Sequence, residues 1–369
     1  MKFFAQLMKK NVFLGVDIGT SSIKAVELSY KDQKAYLTNY GSVTIRDAAM
    51  DAQSAPAIHK AISALLQEMR VKATRLYVSL PSSNGLVALL EFPFMSEKEL
   101  EQAVRFEAHK YIPAEMEDIA LSWEVIQQIE KKSSLGVLKI KGEKEEKKKP
   151  KRRDIQEVLL VAALKSDVGL VTSHFKKAQY DIHAIELESF SLVRSLAASE
   201  EGDVLIIDIG HSICNFALAS NGIVRISRNI DVGGRGITET IADSMNVSAV
   251  RADAIKKGKE NLFRKKEFSL VFASLDVVLG EAQRIISSYE KKHGERHIEK
   301  VVLSGGTAGM MGINEFFEER LQRKVERGNC WRHIEYDKQL SPYIQELDGS
   351  FSVAIGLALR GVDDFRRGM

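Results

Sequence analysis

The sequence predicts an α/β protein of two lobes, each built on the same strand–turn–strand unit, with a small α+β module inserted in the first. Three observations carry that prediction. The chain has 369 residues, beyond the size at which one hydrophobic core usually stops growing. The tripeptide Asp-Ile-Gly closes an apolar run twice, at Asp17–Gly19 and at Asp208–Gly210, and each time small polar residues and a second strand follow. Between the repeats, Leu86 to Leu164 runs strand, helix, strand, charged loop, strand, an order foreign to the repeat itself.

Composition narrows the class. At 44% hydrophobic and 28% charged residues the chain is globular rather than disordered. Its cleanest apolar runs, Val158–Leu164 and Val204–Ile207, are far too short to span a bilayer, so no direct membrane span is expected. The opening MKFFAQLMKKN lacks the apolar core and cleavage site of a signal peptide. Two cysteines, Cys214 and Cys330, make no disulfide framework and suit a reducing compartment. A soluble cytosolic protein is the expectation. The tract KGEKEEKKKPKRR, Lys141 to Arg153, holds eight Lys or Arg against three Glu. Its surplus exceeds the chain's net +3, so the rest is slightly acidic and carries no nucleic-acid signature. With no apolar side chain to bury, the tract reads as a solvated loop, with contact to acidic lipid or an acidic partner as the alternative.

The elements follow in order. Val12–Asp17, SIKAVELS and KAYLTNYGSVTI alternate as strands, with Lys31, Asp32 and Gln33 turning between the last two. Ala55–Arg70 keeps Ile58, Ile62, Leu65, Leu66 and Met69 on one helical face. Arg75–Pro81 and Leu86–Pro93 are strands closed by proline. Ser96–Pro113 is a helix with a Ser96/Glu99 capping box and a proline stop. Strands around Leu121–Ile129 and Val158–Leu164 flank the charged tract. Lys165 to about Gln179 and Glu186–Ser199 read as helices. The second repeat, from Asp203, has its hairpin turn at Ser220–Gly222. Val301–Leu321 is a strand, a Gly-Gly turn and a helix, and Ser350–Gly361 is a terminal helix of small residues.

One Asp-Ile-Gly turn is an ordinary structural turn as readily as a binding site. Two, facing each other across a cleft, make a receptacle for a polyphosphate. Glycine lets backbone N–H groups approach phosphate oxygens, and each aspartate can hold Mg²⁺ through water, since Mg²⁺ keeps its waters and uses one or two carboxylates. The helix start after Ser304–Gly306 is a further place for a nucleotide edge.

These residues resemble the actin-like ATPase superfamily, whose phosphate 1, phosphate 2, adenosine and terminal-helix motifs recur here in order over nearly the whole chain. Within it the chain is similar to the PilM family of the type IV pilus inner-membrane complex. GVDIGTSSIKAVELS, PFMSEKELEQAVRFEAHKYIPAEMEDIALSWEVI and VGGRGITETIADSMNVSAVRADAIKKG carry the likeness. The resemblance implies an actin-like fold with boundaries at 11–85 (first lobe), 86–164 (inserted subdomain, with a flexible basic loop at 131–156), 165–200 (first lobe continued), 201–349 (second lobe) and 350–369 (terminal helix returning to the first lobe).

It also implies ATP or ADP with Mg²⁺ as ligand. Asp17 and Asp208 would stand near the metal through water, with Gly19, Thr20 and Ser21 cradling phosphates. Lys24 would neutralise phosphate charge, and Gly210 would complete the opposite jaw. His211 would either bond a phosphate or cap its turn. Gly233 and Gly234 would approach the nucleotide, Asp253 and Lys256 would border ribose and adenine, and Ser304, Gly305, Gly306 and Thr307 would form the adenosine loop. Asp253 is one methylene shorter than the family's glutamate, and Cys214 stands where the family has a threonine-like residue. Glu188 falls where related enzymes orient an attacking water. Hydrolysis stays open, slow or partner-dependent rather than fast. Lys24 has no twin in the second turn, where Asn215 stands near the equivalent place.

The implied partner is a PilN-like inner-membrane protein, captured through its cytoplasmic amino-terminal peptide between the first lobe and the inserted subdomain. The apolar face near Phe92–Ile112 is an expected part of that groove. Other pilus platform or motor proteins and self-association are further partners the resemblance admits, and the location implied is cytoplasmic, peripheral at the inner membrane. An FtsA-like division protein and a small-molecule kinase are the competing readings. The chain's last residues, RGVDDFRRGM, are too short and polar for an FtsA-type amphipathic anchor, and the inserted module shows no recognisable sugar site. There is no G-x-x-x-x-G-K-[ST] and no G-x-G-x-x-G after a strand. His293/His297 and Cys330/His333 are isolated pairs without further ligands.

Overall fold

The computed structural model describes residues 11–45, 54–112, 114–131, 153–178, 180–264, 272–294, 296–347 and 349–368. The chain divides into two compact units, one of residues 85–165 and one holding the rest.

The larger unit contains the repeat as two sheets of one design. In the first, β1 (Val12–Ile18) pairs antiparallel with β2 (Ser22–Lys31), which pairs with β3 (Lys34–Thr44). On its other side β1 runs parallel to β4 (Arg75–Leu80), reached through helix α1 (Ala55–Glu68). In the second, β9 (Asp203–Ile209) pairs antiparallel with β10 (Cys214–Ser220), which pairs with β11 (Ile223–Ile230), and β9 runs parallel to β12 (Ile298–Ser304). The first sheet ends in β8 (Ile182–Leu187), the second in β13 (Lys324–Arg327), and the two-residue β14 (Ile334–Glu335) adds to β3. Each central strand is buried along nearly its whole length, as strands covered on both faces must be.

Two helices join the sheets. Helix α4 (Glu188–Leu196) packs on β4 and β8 of the first sheet and on β9, β10 and β11 of the second. The terminal helix α10 (Ser352–Arg366) lies on β1, β2, β4 and α4, which ties the chain's end to its beginning. Small residues set how close it lies. A Cβ on Gly15 would overlap the Ala354 carbonyl oxygen and the Ala358 nitrogen, and one on Gly356 would overlap the Ser191 carbonyl. Beneath, Glu186 is a buried hub that accepts from Ser191, Arg194 and Arg360. Burial alone would raise its pKa, but Arg194 and Arg360 outweigh that and hold it below the usual carboxylate range.

The smaller unit is a three-stranded antiparallel sheet, β5 (Gly85–Pro93), β7 (Arg153–Leu164) and β6 (Ile119–Lys131), covered by helix α2 (Glu97–Ala108). Leu100, Val104 and Ala108 of the helix meet Leu90, Phe92, Val158 and Leu160 of the sheet. The Ser96/Glu99 capping box forms in both directions.

The structure corrects several expected boundaries. Helix α2 ends at Ala108, not Ile112: Lys110 and Tyr111 donate to Glu107 and Ala108, a tightened last turn, and a residue before proline resists helical backbone. Glu186 and Leu187 belong to β8 and the helix starts at Glu188, because Ile182–Leu187 is held in the sheet by pairing with β4. Lys131 pairs with Arg153 and Gln156 with Gln128, so the ends of the expected loop 131–156 are strand. Most of the basic tract lies outside the described residues. A 22-residue helix, α7 (Phe272–His293), went unread although Leu275, Val278, Leu279, Ala282, Ile285, Ile286 and Tyr289 keep helical spacing and enter the core of the second lobe.

The contact of α10 with β1 has a direct test. Gly15→Ala is expected to lower stability in chemical denaturation by roughly 1–3 kcal/mol or more, the cost of overpacking against backbone. Unchanged stability would mean that the helix lies farther from the strand.

Candidate functional site

The two Asp-Ile-Gly turns are geometric copies. Gly19 N–H donates to Ser22 O (3.1 Å), and Gly210 N–H donates to Ile213 O (3.0 Å). The glycine amides are therefore spent on shaping their turns. The ladders also match: Asp17 pairs with Lys24 across β1/β2, and Asp208 with Asn215 across β9/β10. Strand period puts each aspartate and its partner at the same end of its sheet.

Both turns open on one cavity of about 1290 Å³. Asp17, Gly19, Thr20, Ser21 and Lys24 line it from the first sheet, and Asp208, Gly210 and His211 from the second. Gly234, Asp253 and Lys256 approach from helices α5 (Gly234–Met245) and α6 (Ala249–Lys256), and Gly305, Gly306 and Thr307 from the loop after β12. Ser304 and Gly233 are not part of the wall. Ser304 is buried, and its hydroxyl lies within hydrogen-bond distance of Gly349 O (3.1 Å) and Ser352 Oγ (2.9 Å), which fixes the base of the loop. Gly305 holds φ +86°, and a Cβ there would strike the Ile209 backbone, so a side chain would close this approach.

The charge at the cavity floor is concentrated. Asp17 accepts from Ser79 Oγ (3.0 Å), and that hydroxyl accepts from Ile18 N–H (3.1 Å). Burial raises the Asp17 pKa, opposed by Lys24 and Ser79. Asp208 is pushed up to about 6, chiefly by burial and further by Asp17. Glu188, first residue of α4, accepts at Oε2 from Ser82 N–H (3.2 Å) and Asn215 Nδ2 (3.0 Å). Its pKa is pushed up to about 8, by burial first and then by Asp17. Three carboxylates thus share one low-dielectric wall with Lys24. The other half of the Asn215 amide, Oδ1, is buried and has no hydrogen-bond partner among the described residues. Sequence reasoning missed Ser79 and Ser82, since a serine in a strand or after a proline carries no sign of the carboxylate it will serve.

Lys256, which lines the cavity, is also held by the protein itself. Its Nζ donates to Gly234 O (3.0 Å) and Thr238 Oγ1 (2.8 Å) and pairs with Asp253 (3.2 Å), so its three protons are engaged. It fixes the start of α5 against α6. Asp253 also pairs with Lys257 (2.6 Å). Burial would raise its pKa, but the two lysines more than offset that and hold it low.

Comparison with known proteins adds the family. Residues 15–362 match the family described as type IV pilus assembly protein PilM. The chain belongs to the PilM family. It is thus an actin-like protein of type IV pilus assembly. Among solved structures, a PilM–PilN type IV pilus biogenesis complex aligns at 24% identity and TM-score 0.77, over 95% of this chain and 98% of that one. The ethanolamine utilization protein EutJ from Carboxydothermus hydrogenoformans aligns at 13% and 0.52, over 94% and 89%. MreB5 of Spiroplasma citri bound to ADP aligns at 13% and 0.51, over 98% and 100%. These likenesses show the actin-like fold, in which the PilM-family chain shares its two-sheet plan. No helix among the described residues is long and apolar enough to cross a membrane.

The raised Glu188 pKa has a stability consequence. The folded state keeps a proton that the unfolded carboxyl, near 4.5, has already released, so stability falls as pH rises from about 4.5 to about 8. In ligand-free protein Glu188→Gln, which keeps an acceptor for Ser82 and Asn215, is expected to flatten that fall in urea denaturation across the window. An equal slope in both proteins would remove the assignment.

Proposed function

We propose that this PilM-family protein binds ATP or ADP with Mg²⁺ in the cavity and, in that role, serves as an assembly component that recruits the cytoplasmic amino-terminal segment of a PilN-like protein. One observation carries the nucleotide reading: two identical turns present Asp17 with Lys24 and Asp208 with Asn215 to the same cavity, beside Glu188 and a glycine loop. Related folds support it, since structures of Spiroplasma citri MreB5 are described with ADP and with AMPPNP. The PilN reading rests on the PilM–PilN complex among similar structures. It brings with it a place at the inner membrane held through that partner.

The residues fit a hydrated cation. Asp17 and Asp208 both raise the Glu188 pKa and Asp17 raises that of Asp208, and a divalent ion would relieve that repulsion. Among the described residues no cluster of three or more His, Cys, Asp or Glu is placed to ligate a metal directly. Asp17 and Asp208 would therefore act through water, as Mg²⁺ favours, and Asn215 Oδ1, without a partner among the described residues, could accept from such a water. When bound, the ion supplies charge neutralisation beside the phosphates.

Within the cavity Lys24 is the phosphate cation, and the amides of Thr20, Ser21 and Gly306 are candidate donors. Ser304 and Gly233 act behind the wall, and Lys256, on the wall itself, holds the start of α5 in place. Glu188 is our candidate for orienting water. At neutral pH, without a cation, it keeps its proton and is a poor base, which suits slow or partner-dependent hydrolysis.

Two measurements test this reading. Lys24→Ala is expected to weaken binding of ADP with Mg²⁺ by at least about tenfold, near 1.4 kcal/mol, with the melting transition of ligand-free protein little changed. Unaltered affinity would remove Lys24 from the site. Immobilised PilN amino-terminal peptide is expected to retain the full chain, and no retention with or without nucleotide would overturn the recruitment role.

A further inference from the structure

The cavity wall also contains the neck of the smaller unit. The chain leaves the larger unit through Pro81 and a 3-10 turn, Ser82–Asn84, and β5 begins at the next residue, Gly85. It returns at Ser166, in the first turn of helix α3 (Lys165–Lys177). Pro81, Ser83 and Asn84 line the cavity. The turn is held on three sides within the larger unit. Ser82 N–H donates to Glu188 Oε2 (3.2 Å), and the turn packs against β11 of the second lobe. Asn84 Nδ2 donates to Asp167 Oδ2 (3.0 Å), with Ser83 Oγ donating to Asn84 Oδ1 (3.0 Å). The Asn84–Asp167 bond joins the outgoing turn of the neck to the returning helix. Asp167 sits in the first turn of α3, where a carboxylate is favoured by the helix dipole.

We propose that this neck couples the occupant of the cavity to the smaller unit, with Asn84 as the positioning residue that ties both crossing strands to the cavity wall. The proposal rests on the nucleotide reading above. Its physical basis is that the turn touches both lobes and Glu188 at once. Any ligand that draws the lobes together, or rearranges Glu188, displaces the turn, and Gly85 is one peptide bond away. Through Asp167 the same displacement reaches α3 and the returning strand β7. Coupling between two sites is a free energy with equal effect in both directions, so whatever the smaller unit binds would alter nucleotide affinity by the same factor.

Hydrogen–deuterium exchange on the full chain tests this, with ADP and Mg²⁺ as the probe ligand and binding followed separately by calorimetry. Exchange of amides in 86–92 and 156–164 is expected to slow by about fivefold or more on binding, the lower range of allosteric coupling. Asp167→Ala, which breaks the Asn84 bond from outside the cavity lining, should still bind the nucleotide within a few-fold but lose most of that slowing, and Asn84→Ala, at the cavity wall, should lose it too. Asp167→Asn, which keeps an acceptor, should retain it. Binding in the wild-type chain with no change in these segments overturns the coupling alone, as does full slowing in both alanine variants. No binding at all overturns the nucleotide reading and the coupling with it.

Discussion

Three carboxylates crowded at the meeting of two sheets, Asp17 buried and Asp208 and Glu188 half-buried on the cavity wall, are the constraint on which the rest of the structure depends. Asp17, Asp208 and Glu188 come from a strand end in each lobe and from the first residue of the helix between them. Desolvation disfavours their charge, and their proximity disfavours it again. Such a cluster lowers the stability of the empty fold, so the surrounding structure must offset it. Helix α10 packs on β1, the strand of Asp17, and the Glu186 hub with Arg194 and Arg360 comes two residues before Glu188.

The same constraint explains the asymmetry of the two turns. In the first, Lys24 faces Asp17 across the ladder and supplies a charge. In the second, Asn215 faces Asp208 and supplies a dipole that reaches Glu188 instead. A cation on one side and a neutral amide on the other leave the floor negative, which favours a divalent ion with an anionic ligand over an anion alone. Glu188 thereby becomes the point where both lobes and the neck of the smaller unit meet.

Much of this was legible in sequence because its signals are local. The repeated Asp-Ile-Gly, the alternation that puts Lys24 and Asn215 in matching places, and the capping box at Ser96 each depend on residues a few positions apart. What was not legible depends on distance. Ser79 serves Asp17 from 62 positions away, and Arg360 reaches Glu186 across 174. The motif that points to Lys256 is local, while Gly234 and Thr238, which also engage it, lie on another helix. Strand β8 was hidden because Glu186–Leu187 continue smoothly into a helical pattern, and only pairing with β4 makes them strand.

The central claim is that a hydrated cation with nucleotide relieves the repulsion among these carboxylates. Calorimetry of MgADP binding at about pH 7, in buffers of differing ionisation enthalpy, reads the protons exchanged. Net proton release is expected as Glu188 and Asp208 become fully ionised beside the cation. Binding without proton release, or with uptake, would contradict it.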